Sequence, residues 1–570
     1  MFLEFKAQVE SVLMDAIQNA GFEIEVADLD LEPSSYADLA SRAAFKLASL
    51  QKQNPKDLAA HLVSELKIPK GSYIGAVKAV GPYINFEVSR TYIEKTVAEV
   101  REKQEKFGSG APKEKILLEH TSANPNGPLH VGHIRNSIIG DTLSRILRRA
   151  GYDVEVQYYV NDMGRQIAVV SWAFEHFKFN QSRKSDSAIA EIYIKANAEL
   201  EAHPEHLAEI DALMEGVEQG DAATLENFNT AVALALEGIK ETLLRMNVVH
   251  DKFVKESSFL MSGAVHAIVE RIKATGRTEF DNGALVVELA DYGFEKTLVI
   301  QRSNGTSLYT TRDLAYHEWK AGQANRVIDI FGADHKLISG QLRATLNSIG
   351  IQEPEVVIFE FVSLPEGSMS TRRGQFISAD DLFDKVTTAA FEEVEKRRTD
   401  LSKATKLEIA EMVGMGAVRY DIVRVSPEKS TVFNWKEALD FEKQGAPYIQ
   451  YSHARACSIL EKAKEEKAWE GPESEIEASL LIEPSEIALI KKMAAFESVI
   501  EHCARELKPH TLAIYARELA DAFNQFYRFV PVIAAEEAKV RAARLALVDC
   551  ARIVIANTLE TLGIGAPKSM

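Results

Sequence analysis

The spacing of apolar residues predicts a small α+β domain at the start of the chain. Apolar positions recur at helical intervals over residues 3–20, 36–50 and 55–66, which indicates three amphipathic helices. Residues 81–88 alternate between apolar and polar side chains, as expected of a β-strand. A Gly- and Pro-containing stretch then follows, which is typical of a linker and closes a first domain of residues 1–108.

A nucleotide-binding α/β pattern follows this linker. Residues 115–119 form a short apolar run, residues 121–128 form a turn rich in Pro and polar side chains, and residues 130–150 have a helical pattern. A second β-like run occupies residues 152–159. The order strand, turn, helix, strand is typical of the opening of a Rossmann-like parallel sheet.

Further strands and an insertion complete this second domain, for which the pattern indicates residues 111–395. Strand-like runs lie at residues 284–302, 326–332 and 355–361. Over residues 168–283 the pattern is mainly helical and acidic, which predicts a helical insertion into the sheet domain.

Long helical patterns dominate from residue 402 to the end of the chain, which predicts an all-α bundle over residues 396–570. The expected fold class is therefore α/β. It combines a Rossmann-like parallel-sheet domain that carries a helical insertion, a small α+β N-terminal domain and an all-α C-terminal bundle.

The composition changes this picture little. The 570 residues include 66 Lys and Arg against 84 Asp and Glu, a net charge of -18, which argues mildly against a nucleic-acid partner unless a local basic groove exists. Cys457, Cys503 and Cys550 lack the spacing of metal ligands, so we expect reduced thiols and no structural metal. No apolar run is long enough to span a membrane and no signal-peptide pattern begins the chain, so we expect a cytoplasmic protein.

The segment His130-Val131-Gly132-His133 lies where a phosphate site is expected, at a helix start directly after a strand and turn. Unpaired backbone N–H groups at a helix start favour anions, and Gly132 lets a ligand approach the backbone. Two imidazoles can stabilise the charge on a phosphate under attack. We therefore expect His130, Gly132 and His133 to be catalytic, with both histidines binding ATP; a pair of capping or surface histidines is the alternative.

Residues 123–136, Ala-Asn-Pro-Asn-Gly-Pro-Leu-His-Val-Gly-His-Ile-Arg-Asn, resemble the first signature of class I aminoacyl-tRNA synthetases in the form that arginyl-tRNA synthetases carry. The resemblance implies that ATP with Mg²⁺ activates L-arginine to arginyl-adenylate. Arginine then passes to the 3′-terminal ribose of tRNA(Arg), and AMP and pyrophosphate are released. It also implies that tRNA must be present for the first step, that the C-terminal bundle binds the anticodon, that the N-terminal domain touches tRNA, and that the protein is a monomer.

Residues 367–374, Gly-Ser-Met-Ser-Thr-Arg-Arg-Gly, resemble the second class I signature, a loop that closes over the triphosphate. Ser368 and Thr371 stand where that signature usually has lysines, a departure that arginyl enzymes often show. The resemblance implies ATP contacts at Met369 and Ser370 and a catalytic cation at Arg372 and Arg373. A guanidinium can bind phosphate with two parallel hydrogen bonds, so we expect one of these arginines to meet the pyrophosphate; a solvated basic loop is the alternative.

Recognition of arginine requires carboxylates for the guanidinium and an aromatic wall. The resemblance implies arginine-binding roles for five residues, which are Glu119, Asn124, Tyr309, Asp313 and Gln341. Tyr309 and Asp313 share one face if residues 307–313 are helical. The alternative for Asp313 is a structural ion pair, for example with Arg312.

Two further segments border the expected pocket. Residues 332–335, Gly-Ala-Asp-His, follow the apolar run 327–331, so His335 lies at the carboxyl end of a strand, where open α/β sheets bind ligands. We expect His335 to contact ATP, and a surface turn is the alternative. Residues 159–166 resemble a family element that shapes the pocket.

The expected tRNA contacts lie at both ends of the chain. Tyr448, Tyr451 and Arg455 recur at i, i+3 and i+7 on a predicted helix, and such a stripe can stack bases and meet phosphate; core packing by the tyrosines is the alternative. The resemblance also implies tRNA contacts at Tyr527, at Met570 and, in the N-terminal domain, at Asn85 and Phe86, for which packing is the alternative.

Two other functions stay open from the sequence. One is a different class I synthetase or a free-standing adenylyltransferase, against which Glu119 and the Tyr309/Asp313 element argue. The other is a catalytically silent paralogue that only binds tRNA, against which the intact His130, Gly132 and His133 argue.

Overall fold

The structure is a computed structural model that describes residues 1–34, 36–363, 377–440, 445–469, 471 and 474–570. The residues expected in the second signature lie outside the described residues; these are Met369, Ser370, Arg372 and Arg373.

The N-terminal region forms a four-stranded antiparallel sheet with helices packed on it. Its elements are α1 (Phe2–Asn19), β1 (Leu31–Glu32), β2 (Leu39–Ser41), α2 (Ala43–Gln51), α3 (Pro55–Glu65), β3 (Ile74–Val80), β4 (Tyr83–Val88) and α4 (Arg90–Lys103). The strand order is β1-β2-β4-β3. The helix expected over residues 36–50 is wrong in its first half, because Leu39 and Ser41 are buried on a strand that pairs with β4.

A five-stranded parallel sheet forms the second region. Its elements are β5 (Lys115–Glu119), α5 (Val131–Arg149), β6 (Asp153–Val160), α6 (Arg165–His176), α7 (Ser185–Ala202), α8 (Leu207–Gln219), α9 (Ala222–Arg245), β7 (Lys252–Lys255), α10 (Ser257–Met261), α11 (Ala264–Ala274), β8 (Thr278–Asp281), β9 (Ala284–Val287), β10 (Leu298–Gln301), α12 (Tyr309–Ala321), β11 (Arg326–Gly332), α13 (Lys336–Ser348), β12 (Glu355–Phe359) and β13 (Val362–Ser363). The order is β12-β11-β5-β6-β7, and every neighbouring pair is parallel. The predicted parallel sheet is confirmed.

The edge strand β7 lies inside the stretch expected to be a helical insertion. Helices α6 to α9 precede it, but Lys252–Lys255 then returns to the sheet and pairs with β6. The sequence Lys-Phe-Val-Lys is short and has only Val254 buried, so it gives no recognisable apolar run. The runs over residues 284–302 do form strands, but β9 and β10 join β8 in a separate antiparallel sheet.

The C-terminal region is a helical bundle, as predicted. Its elements are α14 (Ala379–Arg397), α15 (Lys403–Val423), β14 (Thr431–Val432), α16 (Trp435–Ala438), α17 (Ala446–Glu465), α18 (Pro484–Ala494), α19 (Phe496–Glu506), α20 (Pro509–Phe529) and α21 (Ala538–Thr561). The two-residue strand β14 pairs with β13 and so ties the bundle to the sheet region. None of the described helices is long and apolar enough to cross a membrane.

The linker after the first domain is packed against the end of α5. The Gly110 N–H donates to the Arg149 carbonyl and the Lys113 N–H donates to the Gly151 carbonyl, both at 2.8 Å. Gly151 has a φ of +100°, and a Cβ there would lie 1.9 Å from the Ala111 carbonyl oxygen. Only glycine fits at this position, directly after the end of the helix.

A buried ion pair joins the bundle to the sheet region. The Arg419 guanidinium of α15 contacts Asp141 of α5 at 2.5 Å. It also donates to the carbonyls of Met246 and Leu562 at 2.7 and 2.9 Å. Both charged side chains are almost fully buried, so removing one leaves polar groups without their partner.

We expect Arg419→Met to lower the free energy of unfolding by about 3 kcal/mol, because Asp141 and two carbonyl groups lose a buried donor. The thermal unfolding midpoint, followed by circular dichroism, measures the loss. Arg505→Met is the matched control, since the Arg505 side chain is 71% exposed and pairs with the adjacent Glu506; its cost should stay below about 1 kcal/mol. Equal midpoints for the two variants would show that the buried pair contributes nothing.

Candidate active site

One cavity of about 590 Å³ lies at the carboxyl end of the parallel sheet. This is the edge at which open α/β sheets bind ligands. It contains eight of the predicted residues, which are Glu119, Asn124, His130, Gly132, His133, Tyr309, Asp313 and His335. The turn after β5, the start of α5 and the start of α12 therefore contribute to one site.

The two histidines form a reciprocal cap at the start of α5. His130 Nδ1 accepts the Gly132 N–H at 3.1 Å, and His133 Nδ1 accepts the His130 N–H at 3.3 Å. The rings stack with centroids 3.7 Å apart. Because each Nδ1 is an acceptor, the ring proton of each neutral imidazole lies on Nε2, which has no hydrogen-bond partner within the described part of the chain. A Cβ on Gly132 would lie 3.0 Å from His130 Cε1, so glycine keeps room for this ring.

Both histidines are uncharged at neutral pH. Burial lowers the pKa of His130, and burial together with the neighbouring His130 lowers the pKa of His133 to about 3. The site therefore offers two neutral N–H donors beside the positive end of the α5 dipole. Such donors suit a phosphate on which negative charge develops.

The turn between β5 and α5 is strained. Thr121 and Ser122 have φ values of +70° and +41°, a region that residues with side chains rarely adopt. The Thr121 N–H donates to Asn136 at 3.0 Å, and the Ser122 hydroxyl donates to Glu119 at 2.9 Å. These bonds hold the turn so that Asn124 reaches the cavity.

The acidic end of the cavity is built on a buried chain of alternating charges. Lys320 Nζ lies 2.8 Å from Glu119 and 2.7 Å from Asp329. His317 Nε2 lies 2.7 Å from Asp329, and its Nδ1 lies 3.1 Å from Asp313. The two acids predicted to bind arginine are thus joined through Lys320, Asp329 and His317.

These contacts determine the charge states of the buried side chains in this network. Burial lowers the pKa of Lys320, but Asp329 and Glu119 outweigh burial and raise it. Burial and Lys320 lower the pKa of His317, but Asp329 and Asp313 raise it to about 10. Burial raises the pKa of Glu119 against the opposing charge of Lys320. A guanidinium entering the cavity would favour the ionised carboxylate of Glu119.

The cluster of Glu119, His317 and Asp329 has donor atoms close enough together to suggest a metal. The Lys320 ammonium already lies between the two carboxylates. Both ring nitrogens of His317 are also engaged by carboxylates. The cluster is an internal ion network, and a metal ion there would meet a positive charge.

Helix α12 presents Tyr309 and Asp313 one turn apart on the same face, and both line the cavity. Arg312 does not pair with Asp313; its guanidinium contacts Glu256, which also lines the cavity. Glu256 was missed by sequence reasoning. It follows β7, so recognising that strand would have placed an acid at the carboxyl end of the sheet.

Two predicted residues are not in the positions expected. Gln341 is buried on α13, and its amide donates to the carbonyl of Lys296 at 2.7 Å, so it is outside the cavity lining. Phe86 is fully buried in the N-terminal core and cannot meet a nucleotide from there. Its neighbour Asn85 is 9% exposed. Both side chains point into the protein interior because of the way in which the helix and the strand that carry them pack.

The predicted tRNA stripe forms a compact aromatic and basic cluster on the bundle. The Arg455 guanidinium lies 4.7 Å from the Tyr451 ring centroid and 5.9 Å from that of Tyr527. Tyr451 and Tyr527 are 42% and 39% exposed. The Tyr448 hydroxyl instead donates to Asp521 at 2.8 Å. The end of the chain packs nearby, where His453 contacts the Pro567 carbonyl at 2.9 Å.

Family models match three consecutive parts of the chain. Residues 6–88 match the arginyl tRNA synthetase N-terminal domain. Residues 96–435 match the catalytic domain of class I (R) tRNA synthetases, and residues 449–570 match the DALR anticodon-binding domain.

Individual proteins resemble the chain over its whole length. The arginine–tRNA ligase of Methanosarcina barkeri is 78% identical over 570 residues, which is 100% of both chains. Among solved structures, Thermus thermophilus arginyl-tRNA synthetase matches with a TM-score of 0.84 and 28% identity, covering 99% of both chains. That from Plasmodium falciparum has a TM-score of 0.80 over 99% of both chains, and at 16% identity it supports the fold alone. The chain belongs to the class I arginyl-tRNA synthetases.

Proposed function

We infer that this protein is an arginine–tRNA ligase, an enzyme that activates L-arginine with ATP and esterifies it to tRNA(Arg). The observation that carries the inference is one cavity with two neutral imidazole donors at one end and the carboxylates of Glu119 and Asp313 at the other. A guanidinium fits the acidic end, and a phosphate chain fits the helix start. This arrangement favours arginine over the substrates of other class I synthetases.

In the proposed first step, the arginine carboxylate attacks the α-phosphate of ATP, which enters with its Mg²⁺. His130 and His133 donate their Nε2–H groups to the phosphate oxygens as charge develops, and Gly132 leaves room for the His130 ring. Pyrophosphate leaves and arginyl-adenylate remains. The protein supplies placement and charge stabilisation and forms no covalent bond.

The other ATP contacts are proposed from the same geometry and from the family resemblance. His335 lines the cavity beside Phe331, with ring centroids 6.0 Å apart, and we assign this side to the adenosine. Met369 and Ser370 would contact ATP when the second signature closes. Arg372 or Arg373 would meet the leaving pyrophosphate.

Residues of β5, of the turn that follows it and of α12 would bind arginine at the acidic end of the cavity. Asp313 and Glu119 would bind the guanidinium, Tyr309 would cover it, and Asn124 would contact the amino-acid backbone. We withdraw Gln341 from this set.

In the second step, the 3′-terminal ribose hydroxyl of tRNA attacks the adenylate and AMP is released. We propose that Tyr451, Arg455 and Tyr527 contact the anticodon loop by stacking and charge, with Tyr448 and Met570 supporting that surface. Asn85 remains a proposed tRNA contact of the N-terminal domain.

We propose that residues 1–108 contact tRNA, residues 111–395 carry out catalysis and residues 396–570 bind the anticodon. We also propose that the protein is a cytoplasmic monomer without a membrane partner. A catalytically silent paralogue is disfavoured, because the imidazole pair and the acidic end lie in the same cavity.

The wild-type protein should charge tRNA(Arg) with arginine, and His130→Ala should slow this by roughly 10²–10³-fold through loss of one transition-state donor. Pyrophosphate exchange in the presence of tRNA isolates the activation step. His61→Ala is the control, because His61 is an exposed residue of α3. A folded His130 variant with wild-type exchange would reject the assigned role.

Asp313→Asn should raise the arginine KM by about tenfold to a hundredfold, since a hydrogen bond to a charged group is lost. The KM for ATP should change little, because Asp313 lies at the acidic end. Asp291→Asn is a matched control with a 75% exposed side chain. Equal increases for arginine and ATP would make Asp313 a structural residue.

The activation rate should not depend on the titration of His133 or His317 between about pH 5.5 and pH 8, although an ordinary imidazole titrates near pH 6.5. A lowered pKa keeps His133 neutral as the pH falls, and the raised pKa of His317 keeps it charged as the pH rises. Pyrophosphate exchange at saturating substrates measures this. A fall centred near pH 6.5 that disappears in His133→Asn would contradict the assigned charges.

A further inference from the structure

Tyr159 lines the cavity, and no function above uses its hydroxyl. Tyr159 is the second-last residue of β6, and its side chain lines the cavity with Glu119, Glu256 and Asp313. The oxygen is buried and has no hydrogen-bond partner among the described residues. A buried hydroxyl without a partner is costly, so it points to a group that arrives later.

The Tyr159 ring is held rigidly in place. Its backbone pairs with Val254 of β7, and its N–H donates to the Ser122 hydroxyl at 3.0 Å. Its ring stacks on Tyr316 of α12, with centroids 4.4 Å apart and planes 9° apart. The Tyr316 hydroxyl is satisfied by Gln157 at 2.6 Å. The two stacked tyrosines therefore differ, because only the one facing the cavity has an unused hydroxyl.

The acids around this hydroxyl are already paired with cations of the protein. Glu119 accepts from Lys320 at 2.8 Å, and Asp313 lies 3.1 Å from His317. Glu256 is bound by Arg312. A guanidinium brings five N–H donors. Glu119 and Asp313 are already partly engaged, so they cannot orient all five. An acceptor at Tyr159 would supply the missing partner.

The chemistry of a phenol suits this position. Burial, Glu256 and Asp313 raise the pKa of the Tyr159 hydroxyl, so it keeps its proton. A protonated hydroxyl can accept one N–H through a lone pair. It therefore adds a directional contact without adding another negative charge.

We propose that Tyr159 Oη accepts a hydrogen bond from the guanidinium of bound arginine and is a further specificity residue of the arginine pocket. The proposal rests on the proposed function, because it deepens the description of the same site.

The test is Tyr159→Phe, which removes one oxygen and leaves the stacked ring. The arginine KM in pyrophosphate exchange should rise about tenfold or more, as expected for loss of a hydrogen bond to a charged group. The KM for ATP should change less than twofold. Agmatine, which has the guanidinium but no carboxylate, should inhibit the variant with a constant raised by the same factor as the arginine KM.

Tyr515→Phe is the matched control. Tyr515 is 3% exposed in the bundle, and its hydroxyl donates to the Lys492 carbonyl at 3.0 Å. That variant loses the hydrogen bond between the Tyr515 hydroxyl and the Lys492 carbonyl, so its thermal midpoint should fall while its arginine KM is unchanged. Tyr159→Phe should show the opposite pattern, because its hydroxyl has no protein partner to lose.

Three results would overturn the proposal. An arginine KM within twofold of wild type would mean that water satisfies the hydroxyl. A rise for arginine without a rise for agmatine would place the contact at the amino-acid end. Parallel losses for arginine, ATP and stability would make Tyr159 structural. A wild-type protein that fails to charge tRNA with arginine would instead reject the proposed function itself.

Discussion

The buried ammonium of Lys320 is the interaction on which the substrate pocket depends. Glu119 and Asp329 are register partners on the neighbouring parallel strands β5 and β11, so two buried carboxylates lie side by side. Like charges in that arrangement repel, and the protein interior offers little screening. Lys320 lies 2.8 and 2.7 Å from them and replaces the repulsion by two attractions. Without this cation, burial and the neighbouring Asp329 would raise the pKa of Glu119 further.

The same ion network sets the position of α12. Lys320 and His317 lie in the last half of the helix and anchor it to β11 through Asp329, and Lys320 also anchors it to β5 through Glu119. The start of the helix then lies at the cavity, where Tyr309 and Asp313 form part of the lining. The pocket for arginine is thus an extension of the buried core, and its acids have little freedom to move.

Local patterns were sufficient to predict β5 and α5, which flank the first signature, and the neighbouring strand β11. Residues 116–118 and 327–331 are mostly apolar because both faces of a central parallel strand are buried, and Asp329 is the charged exception. The edge strand β7 has one buried residue, so it was missed and Glu256 with it. The pairing of Glu119 with Lys320 spans 201 positions, and no spacing rule predicts such a contact. The buried positions of Gln341 and Phe86 did not follow from the resemblance, because a resemblance names positions but not the direction of their side chains.

The division of charge within the cavity follows from the nature of the substrate. Arginine carries a guanidinium and an ammonium, yet its carboxylate must approach a polyphosphate. Charged imidazoles at the phosphate end would repel these cations and would compete for Glu119 and Asp313 across the same low-dielectric cavity. Burial keeps His130 and His133 neutral, so they donate hydrogen bonds without that competition. The negative charge of the site is therefore concentrated at the end that selects the side chain, and the phosphate end relies on oriented N–H groups.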